Sequence, residues 1–177
     1  MPYRADNVDS QSLRGFLRMV ETDYPDERIR IREQVNPRFD MTALVFELER
    51  SGKIQSCSWK ASPGYDIPVV TNIAANRRLL AACLGVDVRN HPTAFRERCQ
   101  KYIPCETAAE AAWNEIIIEG DDVDLGKLPI PLQFSVDGAP YITAGQIAAR
   151  DPVTGVDATG FHRLMVKGKN RLGVSLL

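Results

Sequence analysis

Apolar residues recur at two different spacings along this chain, and the spacing changes part-way. Leu13, Phe16, Leu17 and Val20 stand at i, i+3, i+4 and i+7, so they share one face of a helix, with Ser10 or Asp9 as its N-cap. Tyr24-Pro25 closes that segment. Ile29 and Ile31 alternate with arginines, which predicts a half-buried strand over 28–35, broken at Asn36-Pro37. Met41, Leu44, Val45 and Leu48 again fall on one helical face, and Gly52 sits where a helix terminator belongs. Residues 54–59 read as a second strand. Residues 68–73 read as a third, apolar enough to be central. A short helix over 76–84 ends at Gly85, and another spans 93–99 with Pro92 near its first turn. Strand and helix alternate, so the first part of the chain is expected to form an α/β layer.

After Pro104 the character changes, and from Tyr141 on the segment reads as β. Residues 106–112 have helical composition or form a connector, and 115–119 read as a short strand. Leu128-Pro129-Ile130-Pro131 cannot be helical, because proline lacks the N–H donor and restricts the residue before it. Strands over 141–150, 156–167 and 171–177 are separated by turn chemistry, Asp151-Pro152 with Gly155 and then Gly168-Lys169-Asn170. This predicts two consecutive hairpins. The last strand runs to Val174-Ser175-Leu176-Leu177, which points to the front portion of something larger, or to a subunit completed by another chain. Its unpaired apolar edge is expected to associate.

The long middle strand carries Arg163 among apolar neighbours. Alternation puts Phe161, Arg163 and Met165 on one face and His162, Leu164 and Val166 on the other. A guanidinium stays charged in a protein, so burying one requires an anion: a carboxylate substrate, a phosphate or an acidic side chain. The pattern alone favours the plainer alternative, a surface arginine on a half-exposed strand. His162 reads first as a hydrogen-bonded structural histidine, and His91 as a surface residue.

Composition removes several function classes. The chain has 177 residues, a formal net charge of -1, 44% hydrophobic and 25% charged residues, which gives no electrostatic reason to expect nucleic acid or a membrane surface. No run approaches the length of a membrane span, and the polar start MPYRADNVDS lacks the apolar stretch of a secretory signal, so the expected compartment is the cytoplasm. Cys57, Cys83, Cys99 and Cys105 show no metal-ligand or disulfide spacing. Asp121, Asp122 and Asp124 lack the glycine and terminal glutamate of a calcium loop and read as a solvated turn. The GKNRLG string lacks the ending of a phosphate loop and is read as a hairpin turn.

Taken in order, a set of blocks resembles the amino-terminal part of the UbiD family of prenylated-FMN-dependent decarboxylases. The blocks are Gly120-Asp121-Asp122-Val123-Asp124-Leu125, Leu128-Pro129-Ile130-Pro131, Gly138-Ala139-Pro140-Tyr141-Ile142-Thr143-Ala144-Gly145, Asp151-Pro152-Val153-Thr154-Gly155 and Gly160-Phe161-His162-Arg163, leading to Val166-Lys167-Gly168-Lys169-Asn170. The resemblance implies an α+β fold. An amino-terminal α/β layered domain over 1–115 is followed over 116–177 by the first strands of a split β-barrel like that of flavin reductases, incomplete here. It implies reversible decarboxylation of an aromatic or α,β-unsaturated carboxylic acid, with prenylated FMN as the electron sink. Arg163 matches the family's catalytic arginine, and Phe161 and His162 match positions that contact the cofactor through backbone. Ser175, Leu176 and Leu177 fall where the family lines the flavin. The family's paired glutamates and its general acid match nothing here, so these 177 residues alone are expected not to decarboxylate.

Two positions depart from the family pattern. Ser175 stands where an arginine is common. Ala158 stands where many members carry an asparagine that ligates a divalent metal bridging to the cofactor phosphate, so the Mn2+ and K+ that the family implies lose a ligand here. Either phosphate is bound differently, or a one-residue bulge re-aims Asp157. The expected partners are a small carboxylic acid and either a second copy or the remainder of the enzyme. The rival expectation is a non-catalytic split subunit or assembly partner of a larger UbiD-like carboxylase.

Overall fold

The computed structural model describes residues 12–60, 62–101, 104 and 115–175. Its contacts divide the chain into two compact units that interleave in sequence: residues 1–33, 47–60 and 69–115 in one, and 34–46, 61–68 and 116–177 in the other.

The first unit begins with α1 (Leu13–Asp23), capped by Ser12, whose hydroxyl accepts from Gly15 N at 3.0 Å. The cap candidates Ser10 and Asp9 lie outside the described residues. Val20 is fully buried, whereas Leu13 in the opening turn is exposed. A 3-10 turn at Pro25–Glu27 leads into β1 (Arg28–Ile31), which is shorter than the expected 28–35. β1 pairs in parallel with β2 (Ser56–Trp59), and β2 pairs antiparallel with β3 (Val69–Thr71). The sheet order is therefore β1-β2-β3.

That order corrects the expectation that the apolar segment 68–73 would be central. β3 is an edge strand, half-buried along its length. The central strand is β2, whose Ser56, Cys57 and Trp59 are buried although the string Ser-Cys-Ser-Trp is scarcely apolar. A strand with neighbours on both sides loses its solvent whatever its composition, and the pairing partner lies far away in sequence.

The helix α3 (Arg77–Cys83) is capped by buried Asn76, which accepts from Arg78 N at 2.9 Å. It buries Leu79 and Ala81 completely and stops before Gly85, whose φ of 64° suits a residue without Cβ. Glu27 ties this helix to the first strand, accepting from Asn76 Nδ2 and from Arg78 Nη1 at 3.1 Å. α4 (His91–Cys99) carries Pro92 in its first turn, and His91 stacks on Phe95. The core of this unit is Val20, Cys57, Trp59, Leu79 and Ala81. The dividing line between units falls within α2 (Asp40–Arg50), which is followed by Gly52 at φ 76°.

In the second unit, β4 (Tyr141–Arg150), β5 (Asp157–Gly168) and β6 (Arg171–Val174) form an antiparallel sheet in that order, the two expected hairpins. Asp151 shapes the first turn by accepting from Val153 N at 2.7 Å and Thr154 N at 3.2 Å. The segment 115–119 is not a strand. It has no sheet partner among the described residues, and Ile116, Ile117 and Ile118 are 79%, 70% and 56% exposed. Apolar composition without a hydrogen-bonding neighbour does not make a strand. The expected helix or connector over 106–112 lies outside the described residues. Among the described residues, no helix is long and apolar enough to cross a membrane.

Leu79 is fully buried, so Leu79→Ala is expected to cost about 2–5 kcal/mol of unfolding free energy, read by urea denaturation followed by circular dichroism.

Candidate functional site

The β4–β5–β6 sheet has two unlike faces. Gly145, Ile147, Gly160, His162, Leu164 and Val166 are all half-buried, and they share one face. Gln146, Ala148, Arg150, Asp157, Thr159, Phe161 and Arg163 alternate with them and are all exposed. The covered face is fitted closely. A Cβ on Gly145 would lie 2.5 Å from Leu164 Cδ1, and one on Gly160 would lie 2.7 Å from His162 Nε2. Glycine at these two positions lets a leucine and an imidazole lie flat against the strands. His162 Nδ1 meets the Ser175 carbonyl oxygen at 3.3 Å, which fixes the ring and joins the end of β6 to β5. His162 is thus a hydrogen-bonded histidine on the covered face.

Arg163 lies on the open face at a break in register. Ile142 pairs with Leu164, and Gly145 pairs with His162, so Thr143 and Ala144 together oppose Arg163 alone. This is a β-bulge, a feature that locally increases twist and re-aims a side chain. The arginine is exposed, and among the described residues no carboxylate lies within ion-pair distance of it. The expectation of a buried guanidinium that compels an anion is therefore not met within these residues. The structure shows instead an uncommitted cation on an uncovered face, two residues from Phe161, which is 76% exposed. A guanidinium with no ion pair among the described residues, near an open aromatic ring, suits a planar, anionic ligand. Ser175 is exposed beyond the end of β6 and contributes its carbonyl to His162. Leu176 and Leu177 lie outside the described residues.

Among the described residues, those around Ala158 do not fit a divalent cation. Ala158 offers a methyl group. The register runs unbroken from Gly145↔His162 to Arg150↔Asp157, so the bulge invoked to re-aim Asp157 is not there. Asp157 accepts from Arg150 Nε at 2.7 Å and from Nη2 at 2.9 Å, which occupies both carboxylate oxygens. Asp124 accepts from Gly126 N at 2.9 Å, and Asp121 and Asp122 lie exposed in a 3-10 turn. Among the described residues, no three His, Cys, Asp or Glu side chains converge on a point. Cys57, Cys83 and Cys99 are free thiols, and burial pushes the first two above the usual thiol range. Cys105 lies outside the described residues.

Sequence reasoning missed one concavity. Within the second unit a cavity of about 280 Å³ is lined by Asn36, Arg38, Tyr65, Ile130, Leu132 and neighbouring prolines. It is held open by a parallel bridge between Arg38 and Leu132, with Phe39 N donating to Leu132 O at 2.9 Å. Phe39 adopts φ 72°, a left-handed conformation that a phenylalanine takes only when its surroundings impose it. None of the expected site residues lines this cavity. The only signal in the sequence was the density of prolines around it.

Comparison with known proteins gives the family of the chain. Residues 22–99 match the 3-octaprenyl-4-hydroxybenzoate carboxy-lyase N-terminal domain, and residues 106–177 match the 3-octaprenyl-4-hydroxybenzoate carboxy-lyase Rift-related domain. The anhydromevalonate phosphate decarboxylase of Methanothermobacter thermautotrophicus is 31% identical over 93% of this chain and 36% of its own length. Among solved structures, an evolved dimeric form of the UbiD-class enzyme HmfF from Pelotomaculum thermopropionicum, in complex with prFMN, is 36% identical with a TM-score of 0.82, over 94% of this chain and 38% of that one. The vanillic acid decarboxylase of Sedimentibacter hydroxybenzoicus in closed form is 27% identical with a TM-score of 0.78, over 93% of this chain and 37% of that one. The chain spans little more than a third of the length of these relatives.

The Arg150 guanidinium holds the Asp157 carboxyl below the ordinary value of 3.8. A carboxyl depressed on folding stabilises the fold above its unfolded pKa, and that contribution is lost as pH falls through the depressed value. Carboxyl-carbon NMR is expected to find the Asp157 midpoint below 3.8, and Arg150→Gln is expected to raise it to about the ordinary value.

Proposed function

This chain belongs to the UbiD family of carboxy-lyases, and from that premise we propose that it forms the front portion of a prenylated-FMN-dependent decarboxylase acting reversibly on an aromatic or α,β-unsaturated carboxylic acid. The observation that carries the reading is Arg163, which has no ion-pair partner among the described residues and is opposed by the bulge at Thr143 and Ala144 on the open face of the sheet. In the reading, residues 116–177 contribute the first strands of a split β-barrel and residues 1–115 the amino-terminal domain.

When bound, the modified flavin supplies the sink for the electron pair released with carbon dioxide. The chain's own residues bind and orient. Arg163 holds the substrate carboxylate through paired N–H donors in a fork that matches its two oxygens. It serves as a fixed cation and not as a proton donor. Phe161 offers a ring face to a planar ligand, and the strand backbone at Phe161 and His162 runs alongside. His162 itself keeps its ring on the covered face, tied to the Ser175 carbonyl, and acts by setting the strand end rather than by proton transfer. The proton that replaces the carboxylate comes from outside these residues.

Support for a multi-chain site comes from the relatives. One HmfF structure is described as dimeric, and the name of the Sedimentibacter enzyme, VdcCD, pairs two components. We therefore assign the open face to pairing with the rest of the enzyme or with a second copy. A rival reading, a non-catalytic partner of a larger carboxylase, draws on Ala158 and Ser175, which remove a metal ligand and a cation at family positions.

The test is the full-length protein produced together with a flavin prenyltransferase. A modified-flavin absorption band and release of carbon dioxide from cinnamate- or furoate-type acids are expected. Arg163→Ala is expected to lower kcat/KM by about 100-fold or more while the flavin band persists. Protein that carries no flavin and releases no carbon dioxide would favour the non-catalytic partner.

A further inference from the structure

The walls of the cavity in the second unit are fixed by the chain's own backbone. Residues 36–39 are tied to Leu132 twice: Leu132 N donates to the Pro37 carbonyl at 3.1 Å, and Phe39 N donates to the Leu132 carbonyl at 2.9 Å. Tyr65 is placed by a turn in which its N–H donates to the Ser62 carbonyl at 2.9 Å. Prolines stiffen the rest of the lining, since each has its φ fixed by its own ring. Phe39 holds φ 72°, and imposed left-handed backbone of this kind collects at ligand sites. The polar chemistry of the lining is one-sided. Arg38, Asn36 and Tyr65 supply it, and no acidic residue contributes. Arg38 has no ion-pair partner among the described residues, and its guanidinium lies 5.0 Å from the centroid of the Phe39 ring. Asn36 Oδ1 accepts from Arg38 N at 2.8 Å, which leaves the Nδ2 side of that amide to donate. Every polar side chain of the lining can therefore donate, and one is a fixed cation. The remainder is apolar, with Ile130 and Leu132 set among the prolines. An apolar concavity with a few donors is the composition of a small-ligand site, and about 280 Å³ lies at the small end of the size range of such sites.

We propose that this cavity binds a small carboxylate with a flat apolar body, a single-ring or short unsaturated acid. Arg38 takes the carboxylate, and Ile130 and Leu132 take the body. The volume favours one ring over a nucleotide. A stiff lining loses little freedom when it is filled, so few contacts suffice for binding. The inference uses the lining alone and is independent of the flavin reading, which rests on the β4–β5–β6 face.

The experiment isotopically labels the isoleucine and leucine methyl groups of the full-length protein and titrates benzoate at neutral pH, following Ile130 and Leu132 by methyl NMR. Saturable shifts of both are expected. Benzyl alcohol, of similar shape without the charge, is expected to bind about tenfold more weakly. Arg38→Gln is expected to weaken benzoate about tenfold, with Arg38→Lys recovering part of the loss; a methyl spectrum otherwise like that of the unsubstituted protein verifies the fold of each variant. In Arg163→Ala the Ile130 and Leu132 shifts are expected to persist, because Arg163 does not line the cavity. Methyl groups that stay unmoved at about 10 mM benzoate overturn the proposal. Equal affinity for benzyl alcohol, or unchanged benzoate affinity in Arg38→Gln, overturns the role given to Arg38. Shifts lost in Arg163→Ala place the acid on the open face of the sheet and overturn the cavity as its site. None of these outcomes depends on flavin content, which tests the reading above separately.

Discussion

The pairing of β4 with β5 is the constraint on which the candidate site depends. Strand side chains alternate, so a slip of one residue would exchange the two faces completely. Two glycines hold the register from the covered side, because Leu164 lies over Gly145 and His162 lies over Gly160, and neither place has room for a Cβ. One extra residue is then admitted, at Thr143 and Ala144, opposite Arg163. From that single register follow the exposure of Arg163 and Phe161, the cross-strand meeting of Arg150 with Asp157, and the outward turn of Ala158's neighbours. No separate device is needed for each.

How much of this was legible in the sequence depends on how local the determining interaction is. The two hairpins were readable because their turns are written in adjacent residues, Asp151 through Gly155 and then Gly168 through Asn170. The helices were readable because an apolar face and the breaker that ends it lie within a few residues of one another, as with Leu79 and Gly85 for α3, although the cap of α1 is Ser12 and not the expected Ser10 or Asp9. Sheet order in the first unit was not readable. β2 is central because β1 and β3 arrive from 28 residues before it and some ten after it, and the string Ser-Cys-Ser-Trp carries no trace of that. Apolar content misled in the same way at Ile116 to Ile118, where no strand forms. The bulge opposite Arg163 is also invisible in composition, since Thr143 and Ala144 differ in no way from ordinary strand residues.

The fate of Asp157 shows why matching a family position by position is weaker than reading contacts. By sequence alone, an acidic residue beside a missing ligand invites the thought that it has taken over the missing role. The geometry shows a different settlement. Asp157 faces Arg150 across the hairpin, and a bidentate ion pair uses the oxygens a metal would need.

The exposure of Arg163 bears on chemistry through dielectric. Two unit charges about 4 Å apart attract by about 1 kcal/mol in water and by about 4 kcal/mol where the effective dielectric constant is near 20. An arginine on an open sheet face therefore discriminates poorly between a carboxylate and the water that competes for it. The same arginine on a covered face discriminates strongly, and its cost of desolvation falls only when an anion accompanies it. Phe161, at 76% exposure on that face, argues in the same direction, because a large apolar ring next to a cation gains from being covered by a flat apolar body. In the reading proposed above, this cation and this ring gain their energetic value only when a covering surface arrives together with a ligand. The chain matches little more than a third of its relatives' length, and in the reading proposed above the groups that would dehydrate Arg163 come from another part of the enzyme or from a second copy. Catalysis would then be a property of assembly as much as of the strand that carries the guanidinium.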